Sequence, residues 1–138
     1  MLNVVIHGAS GRNGRRLIAL ALQDSRFRLA GAIVGPHSKY KGVDAGTMCG
    51  LPPTGIAVSY QWPKDFDVVI DFSNAAAAIA AVEHCHQAKK PIVIASTGLS
   101  AAEEEKIRAC ARVIPICYSA NYSPAVNLTM KLAQQAAH

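Results

Sequence analysis

The chain has 138 residues, of which 51% are hydrophobic and 17% are charged, and its formal net charge is +5. This length suits one domain with a sizeable core, and the composition excludes a disordered chain. The lysines and arginines are scattered, which argues against a nucleic-acid-binding stripe. An anionic small ligand explains the excess positive charge as well as a nucleic acid would.

The first predicted elements are a strand and a glycine turn. Residues 4–6 form an apolar run of strand length, and Gly8, Gly11 and Gly14 follow in G-x-x-G-x-x-G spacing. Gly8 suits a tight turn, Gly11 lets the backbone approach phosphate oxygens, and Gly14 lets a helix pack closely on the strand. With a strand before it and a helix after it, this spacing is typical of a dinucleotide site.

A helix follows the turn, because Leu17, Ile18, Ala21 and Leu22 recur at helical spacing. The N-terminus of such a helix offers free backbone N–H groups and the positive end of the helix dipole, and both favour the pyrophosphate of a dinucleotide. Arg12 lies inside the turn, where it either adds a cation beside the phosphates or is a solvated arginine at the start of the helix.

Residues 27–34 predict a second strand, whose end usually carries an acid that binds the adenosine ribose of NAD. Val34 and Gly35 occupy this position instead, so the acid is missing. The loop that follows carries His37, Lys39 and Lys41, which either meet a 2′-phosphate or form a solvated basic loop. We therefore predict a preference for NADP over NAD.

The rest of the chain alternates strands with helices. The predicted strands are residues 55–60, 66–72, 91–95 and 113–117. The predicted helices are residues 74–89, 100–110 and a last one beginning at Pro124. Residues 35–53 form a long loop, which in a compact domain is either functional or mobile.

Several polar residues mark the ends of these elements. Ser73 is a candidate N-cap, Ser100 and Glu103 form a capping box, and Ser123 caps the last helix. Asp71 ends a strand, where a cap or a loop hydrogen bond is favoured over catalysis. The alternation of strands and helices predicts an α/β fold, a Rossmann-like doubly wound parallel sheet in a single domain, with ligands at the carboxyl ends of the strands.

Metal, disulfide and membrane chemistry are not indicated. The four cysteines lack C-x-x-C spacing and are expected to be free thiols, and His84 and His86 would point to different faces of a helix, which argues against a metal site. The five histidines, His7, His37, His84, His86 and His138, have no identifiable partner in the sequence. No apolar run approaches the ~20 residues of a membrane span and no signal segment is present, so we expect a cytoplasmic protein without a membrane partner.

Five ordered motifs resemble the dihydrodipicolinate reductase family over essentially the whole chain. They are residues 8–14 (GASGRNG), 43–46 (VDAG), 66–73 (FDVVIDFS), 96–98 (STG) and 119–127 (SANYSPAVN). The resemblance implies a reductase of lysine biosynthesis that moves hydride from NADPH or NADH to a cyclic dicarboxylate.

The resemblance also implies which residues meet the cofactor. It assigns the pyrophosphate to Gly8, Ala9, Ser10, Gly11, Arg12 and Asn13, and selection at the adenosine ribose to Val34 and Gly35. The basic loop, independently of the resemblance, adds Lys39 as a candidate cofactor-binding residue. Residues along the cofactor and at its nicotinamide end are Phe72, Ser73, Ala95, Ser96, Thr97, Ser119, Ala120, Asn121 and Tyr122. No catalytic residue and no metal ligand is assigned within the chain.

The sequence departs from the family pattern at several of these positions. The family usually has methionine at Asn13, Gly-Thr where this chain has Ala95-Ser96, and glycine at Ala125. Ala95 adds a Cβ where the family backbone approaches the nicotinamide, so we expect weaker cofactor binding or a shifted ring.

The His-His-x-x-Lys and Asp-Ala-Pro-Ser-Gly-Thr stretches of the family's second domain are absent from the sequence. We therefore expect residues 1–138 to be the dinucleotide-binding domain alone, inactive by itself, with a dicarboxylate substrate only where a second domain is supplied. A stand-alone dinucleotide-binding or sensing module without catalysis is the alternative. A coenzyme-A-binding domain is a weaker one, against which residues 72–73 and 119–123 argue. The oligomeric state stays open.

Overall fold

The computed structural model describes residues 1–137, in which strands and helices alternate. The strands are β1 (Leu2–His7), β2 (Phe27–Ile33), β3 (Val58–Ser59), β4 (Val68–Asp71), β5 (Ile92–Ile94) and β6 (Ile116–Tyr118). The helices are α1 (Arg12–Gln23), α2 (Ala45–Met48), α3 (Ala75–Ala88), α4 (Ala101–Ala111) and α5 (Pro124–Ala136).

The strands form one sheet in the order β3-β2-β1-β4-β5-β6, with every neighbouring pair parallel. The chain winds outwards from β1 in one direction through β2 to β3, and then returns to the other side of β1 for β4, β5 and β6. The predicted Rossmann-like doubly wound parallel sheet is therefore confirmed. This reversal beside β1 brings the carboxyl ends of β1 and β4 together, where such folds bind their ligands.

Two apolar clusters hold the layers together, because successive side chains of a strand point to opposite faces of the sheet. On one face, Val4 and Ile6 of β1 pack with Ile18 of α1. On the other face, Val5 packs in a cluster that includes Val82 of α3 and Ile107 of α4. Full burial of a Val or Ile side chain contributes about 1.5–3 kcal/mol, so these clusters fix the helices on the sheet.

The prediction of a long loop at residues 35–53 is wrong in one part, because this segment contains the four-residue helix α2. The Asp44 carboxylate accepts hydrogen bonds from the backbone N–H groups of Gly46 and Thr47 at the start of α2, and from those of Thr54 and Gly55 beyond it. One side chain thus closes the segment into a compact unit that packs on the end of β3.

The caps are partly as predicted. Ser100 and Glu103 form the capping box of α4, and Ser123 caps α5. The prediction that Ser73 caps α3 is wrong: the Asn74 side chain accepts the hydrogen bond from the Ala77 N–H, at 3.0 Å, and the Ser73 hydroxyl binds Asp71 instead.

Several element boundaries also differ from the prediction, and β3 covers only Val58–Ser59 of the predicted residues 55–60. Helix α1 begins at Arg12, so Gly14 lies in its first turn. Strand β6 begins at Ile116, because the N–H groups of Val113 and Ile114 donate to the Cys110 carbonyl at the end of α4.

Helix α5 differs from the other helices in its packing. It has no buried residue, and Val126, Leu128, Met130 and Leu132 are 40–64% exposed. Among residues 1–137, no helix combines the length and apolarity needed to cross a membrane.

Candidate functional site

The glycine turn lies between β1 and α1, and two of its glycines are required by the backbone. Gly8 has φ +76°, and a Cβ there would overlap the Phe72 carbonyl oxygen at the end of β4. A Cβ at Gly14 would overlap the Gly8 carbonyl and would lie 2.8 Å from the Ala9 Cα. The tight turn at Gly8 and the close packing at Gly14 are therefore as predicted. The approach of a phosphate to Gly11 stays a prediction.

The N-terminus of α1 fits an anion. Its N-cap is Gly11, and within the described residues no side chain caps it and no acid lies in its first turn. Arg12 and Asn13 are exposed beside it. No side chain of the described residues therefore caps these N–H groups, and the positive end of the helix dipole lies beside a cation, Arg12.

A groove of about 410 Å³ lies where β4, β5 and β6 end. Its lining comprises Asn13, Phe72, Ser73, Ala95, Ser96, Thr97, Ala120, Asn121 and Tyr122. All nine are predicted site residues from four separate segments of the chain. Larger hollows of about 500 and 590 Å³ lie beside β2 and α1, but the larger of the two is mainly apolar and neither contains any of these residues.

A buried carboxyl group connects the turns behind this groove. Asp71 is 0% exposed, and its carboxylate binds His7 Nδ1 at 2.7 Å, Ser73 Oγ at 2.5 Å and Ser96 Oγ at 2.6 Å. The sequence identified no partner for His7, and the structure shows that Asp71 is its partner. The register of β1 and β4 sets His7 opposite Asp71, which brings the two side chains into contact.

The loop that follows β6 is held by Tyr122. Its phenol oxygen lies 3.0 Å from both the Ile94 and the Cys117 carbonyl oxygens. Partial burial and the nearby Cys117 raise the pKa of Tyr122, so the phenol stays a neutral hydrogen-bond donor at physiological pH. Ser119 Oγ donates to the Asn121 carbonyl oxygen at 2.7 Å, which closes the same loop.

The predicted adenosine end lies at the carboxyl end of β2. Val34 is buried, whereas a Cβ at Gly35 would meet nothing within 4 Å, so the backbone there is open. Lys39 is exposed, with Nζ 5.2 Å from the centre of the Tyr40 ring.

Arg15, which is not among the predicted site residues, joins this end to the glycine turn. Its Nε donates to the Ser10 carbonyl at 3.1 Å and its Nη1 donates to the Met48 carbonyl at 3.2 Å. Its guanidinium also lies 4.5 Å from the centre of the Tyr40 ring and lowers the pKa of that phenol. Its place on α1, one turn after Arg12, was the available signal.

The remaining candidates lie away from the groove. Cys85 is buried, and burial raises the pKa of its thiol to about 12. His84 stacks on Trp62, with ring centres 4.4 Å apart, and partial burial lowers its pKa. Throughout residues 1–137, no three His, Cys, Asp or Glu side chains are grouped as metal ligands. His138 lies outside the described residues.

Comparisons with known proteins extend along most of the chain. Residues 2–122 match the family model described as dihydrodipicolinate reductase, N-terminus. Relatives named 4-hydroxy-tetrahydrodipicolinate reductase are 42% identical in Rhodopirellula baltica, 38% in Saccharophagus degradans and 39% in Pseudoalteromonas atlantica. These alignments cover 97–99% of this chain but only 50–52% of each relative. The chain therefore spans about half the length of the curated relatives it matches.

A solved structure of aspartate semialdehyde dehydrogenase with NADP from Candida albicans is similar in fold. The TM-score is 0.57 at 19% sequence identity, over 70% of this chain and 30% of that one. At this identity the likeness supports the Rossmann-like topology alone.

Proposed function

The chain belongs to the dihydrodipicolinate reductase family, whose N-terminal part it matches, and from this premise we propose that it is the cofactor-binding half of an NAD(P)H-dependent reductase. The reaction proposed for the complete enzyme is reduction of 4-hydroxy-tetrahydrodipicolinate in lysine biosynthesis, in keeping with the names of the relatives.

The groove at the ends of β4, β5 and β6 carries this proposal. It joins Asn13 of α1 to the segments that begin at Phe72, Ala95 and Ala120, each of which follows a different strand. A dinucleotide is long enough to need contacts from several strand ends, and in this fold class it binds across the point where the strand order reverses. The residues present therefore suit an extended nucleotide better than a compact one.

The proposed contacts divide into two ends. The uncapped N-terminus of α1, with Arg12 beside it, holds the pyrophosphate. The turn containing Ser96 and the loop containing Tyr122 orient the nicotinamide end. When bound, the reduced nicotinamide supplies a hydride. The side chains of this domain bind and orient the cofactor, and we assign none of them a proton transfer.

We propose NADPH as the preferred cofactor. The end of β2 offers Val34 and Gly35 in place of an acid, so no carboxylate would repel a 2′-phosphate there. Lys39 lies exposed a few residues further on, and the nearby Arg15 adds a second positive charge. NADH is the alternative cofactor at the same site.

Ala95 is proposed to modify the nicotinamide end. It lines the groove, and its Cβ occupies space where the family usually has a glycine. We expect this methyl group to hold the ring further from the backbone, which would reduce affinity relative to a glycine.

A calorimetric titration with NADPH, NADH and coenzyme A tests the proposal. We expect saturable binding of NADPH and weaker binding of NADH, with no binding of coenzyme A. Gly8→Ala should abolish binding, because its Cβ would overlap the Phe72 carbonyl. Gly42→Ala is the matched control, because Gly42 also has a positive φ, +84°, but has open space around it.

Other outcomes of the titration would reject the proposal. Binding of coenzyme A alone would favour a different nucleotide-binding class. No binding of any of the three would favour an interaction module without a cofactor.

We also propose that residues 1–138 do not turn over substrate by themselves. The chain spans about half of each relative, and its sequence lacks the His-His-x-x-Lys stretch that the family resemblance associates with substrate binding. Consumption of NADPH by the purified chain in the presence of dihydrodipicolinate would contradict this. Binding of NADPH without turnover is the expected result.

A further inference from the structure

The buried Asp71 carboxylate connects the ends of three neighbouring strands. His7 is the last residue of β1, Ser73 follows β4, and Ser96 follows β5. Asp71 Oδ1 accepts from His7 Nδ1 and Ser73 Oγ, while Oδ2 accepts from Ser96 Oγ, and all three distances are 2.5–2.7 Å. A single side chain with no solvent exposure thus contacts three turns at once.

This arrangement depends on the chemistry of a carboxylate. Burying a charged group is costly unless hydrogen bonds satisfy it, and an ionised carboxylate accepts at both oxygens. An asparagine at position 71 would offer one acceptor oxygen and one donor group. At least one of the three present donors would then face another donor or would have to reorient.

The same three turns carry the candidate cofactor site. His7 immediately precedes Gly8, where the phosphate turn begins, and Ser73 and Ser96 both line the groove. Backbone hydrogen bonds reinforce the arrangement, because the Ala95 N–H donates to the Asp71 carbonyl at 2.9 Å. His7 does not line the groove, so it acts on the site only through its neighbours.

We propose that Asp71 is a positioning residue for the dinucleotide, an inference that rests on the proposed function. Its carboxylate fixes the Ser73 and Ser96 turns relative to the phosphate turn, so that one ligand can contact all three. A ligand that spans these turns therefore depends on Asp71, whereas a ligand confined to the adenosine end does not.

Titration with two ligands tests this dependence. NADPH spans the site, and adenosine 2′,5′-bisphosphate occupies the adenosine end alone. In Asp71→Asn we expect the Kd for NADPH to rise at least tenfold, with less than a twofold change for the bisphosphate. Asp67→Asn is the matched control, because Asp67 lies at the opposite end of β4 and accepts the Asn3 N–H at 2.7 Å. It should leave both values unchanged.

Variants of His7 keep the test decisive if Asp71→Asn does not fold. His7→Leu removes one donor from the carboxylate and should weaken NADPH binding several-fold without affecting the bisphosphate. His7→Asn places an amide N–H near the position of Nδ1 and should restore most of the NADPH affinity. Failure of this rescue, or equal weakening of both ligands in the variants, would overturn the positioning role.

Titration of the chain without substitutions distinguishes failure of the proposed function from failure of the positioning role alone. If this chain binds neither NADPH nor NADH, the proposed function fails and the positioning role fails with it. If it binds NADPH and Asp71→Asn binds NADPH equally well, only the positioning role is overturned.

Discussion

Replacing Gly14 with alanine has two opposing effects on the stability of the fold. Alanine in a helix is more favourable than glycine by about 1 kcal/mol. The added Cβ, however, would overlap the Gly8 carbonyl oxygen and lie 2.8 Å from both the Ala9 Cα and the Ala9 carbonyl oxygen. These are backbone atoms, which cannot rotate away as a side chain can.

The overlap makes the substitution destabilising on balance. Overpacking in a close-packed site costs about 1–3 kcal/mol, and close contact with three backbone atoms places Gly14 at the upper end of that range. Subtracting the helix preference leaves a net loss of about 2 kcal/mol in the free energy of unfolding. Since each 1.4 kcal/mol is tenfold, the ratio of folded to unfolded chain should fall about thirtyfold.

Urea unfolding measures this loss directly. Trp62 is the single tryptophan of the chain and lies half-buried, so its fluorescence reports unfolding alongside circular dichroism. Gly35→Ala is the control, because a Cβ there meets nothing within 4 Å, and it should change the free energy of unfolding by less than about 0.5 kcal/mol. A Gly14→Ala chain as stable as the unchanged chain would refute the reasoning.

Three further predictions follow from single side chains. Partial desolvation raises the pKa of Asp44, but hydrogen bonds from Thr47, Thr54 and Gly55 outweigh it and lower the pKa to about 2. Asp44 therefore stabilises the fold above about pH 4, the pKa range of an unfolded aspartate, and this stability is lost as the pH falls towards 2. Asp44→Asn should reduce the fall of the urea midpoint between about pH 4 and pH 2. An unchanged dependence of the midpoint on pH would contradict this role of Asp44. Lys39→Ala should raise the Kd for NADPH about tenfold and leave the Kd for NADH unchanged. Lys64→Ala is the control, and an equal loss of affinity for both cofactors in Lys39→Ala would contradict a 2′-phosphate contact. Cys117 is exposed and should react with iodoacetamide at pH 8, whereas burial of Cys85 raises its thiol pKa to about 12 and should protect it; mass spectrometry showing equal modification would disprove this.

Local signals in the sequence predicted the elements whose causes are local. The capping box of Ser100 and Glu103 lies within one turn of α4, and its hydrogen bonds need no distant partner. Ser123 and Pro124 mark the start of α5 in the same way. Helix α2 was missed because four residues are too few to show a period, although the Asp44 cap is itself a local signal.

The errors arise where tertiary contacts decide between alternatives that the local sequence leaves open. Ser73 and Asn74 both suit an N-cap, and the buried Asp71 carboxylate takes the Ser73 hydroxyl, which leaves the cap to Asn74. The partner of His7 depends on the register between β1 and β4, strands separated by about half the chain. Residue patterns predict that a strand exists but do not by themselves give the residue opposite each position.

The residues that line the groove were predicted more completely than the contacts behind it. The groove gathers nine predicted residues, and a loop hydrogen bond was expected for Asp71, but its partners His7 and Ser96 and the contacts of Arg15 were not foreseen. His7, Ser96 and Met48 are each remote in sequence from the side chain that they contact. A motif identifies residues that face a ligand more readily than residues that support them.

The central position of β1 has a consequence for the order of folding. β1 is synthesised before the other described strands, but one of its edges stays unpaired until β4 has been made, after α1, β2, α2 and β3. Such non-local parallel pairing forms slowly, and an unpaired strand edge can associate with other chains. The nascent polypeptide therefore carries an open apolar strand while the residues between β1 and β4 are made, and pairing with Val68–Asp71 closes that edge.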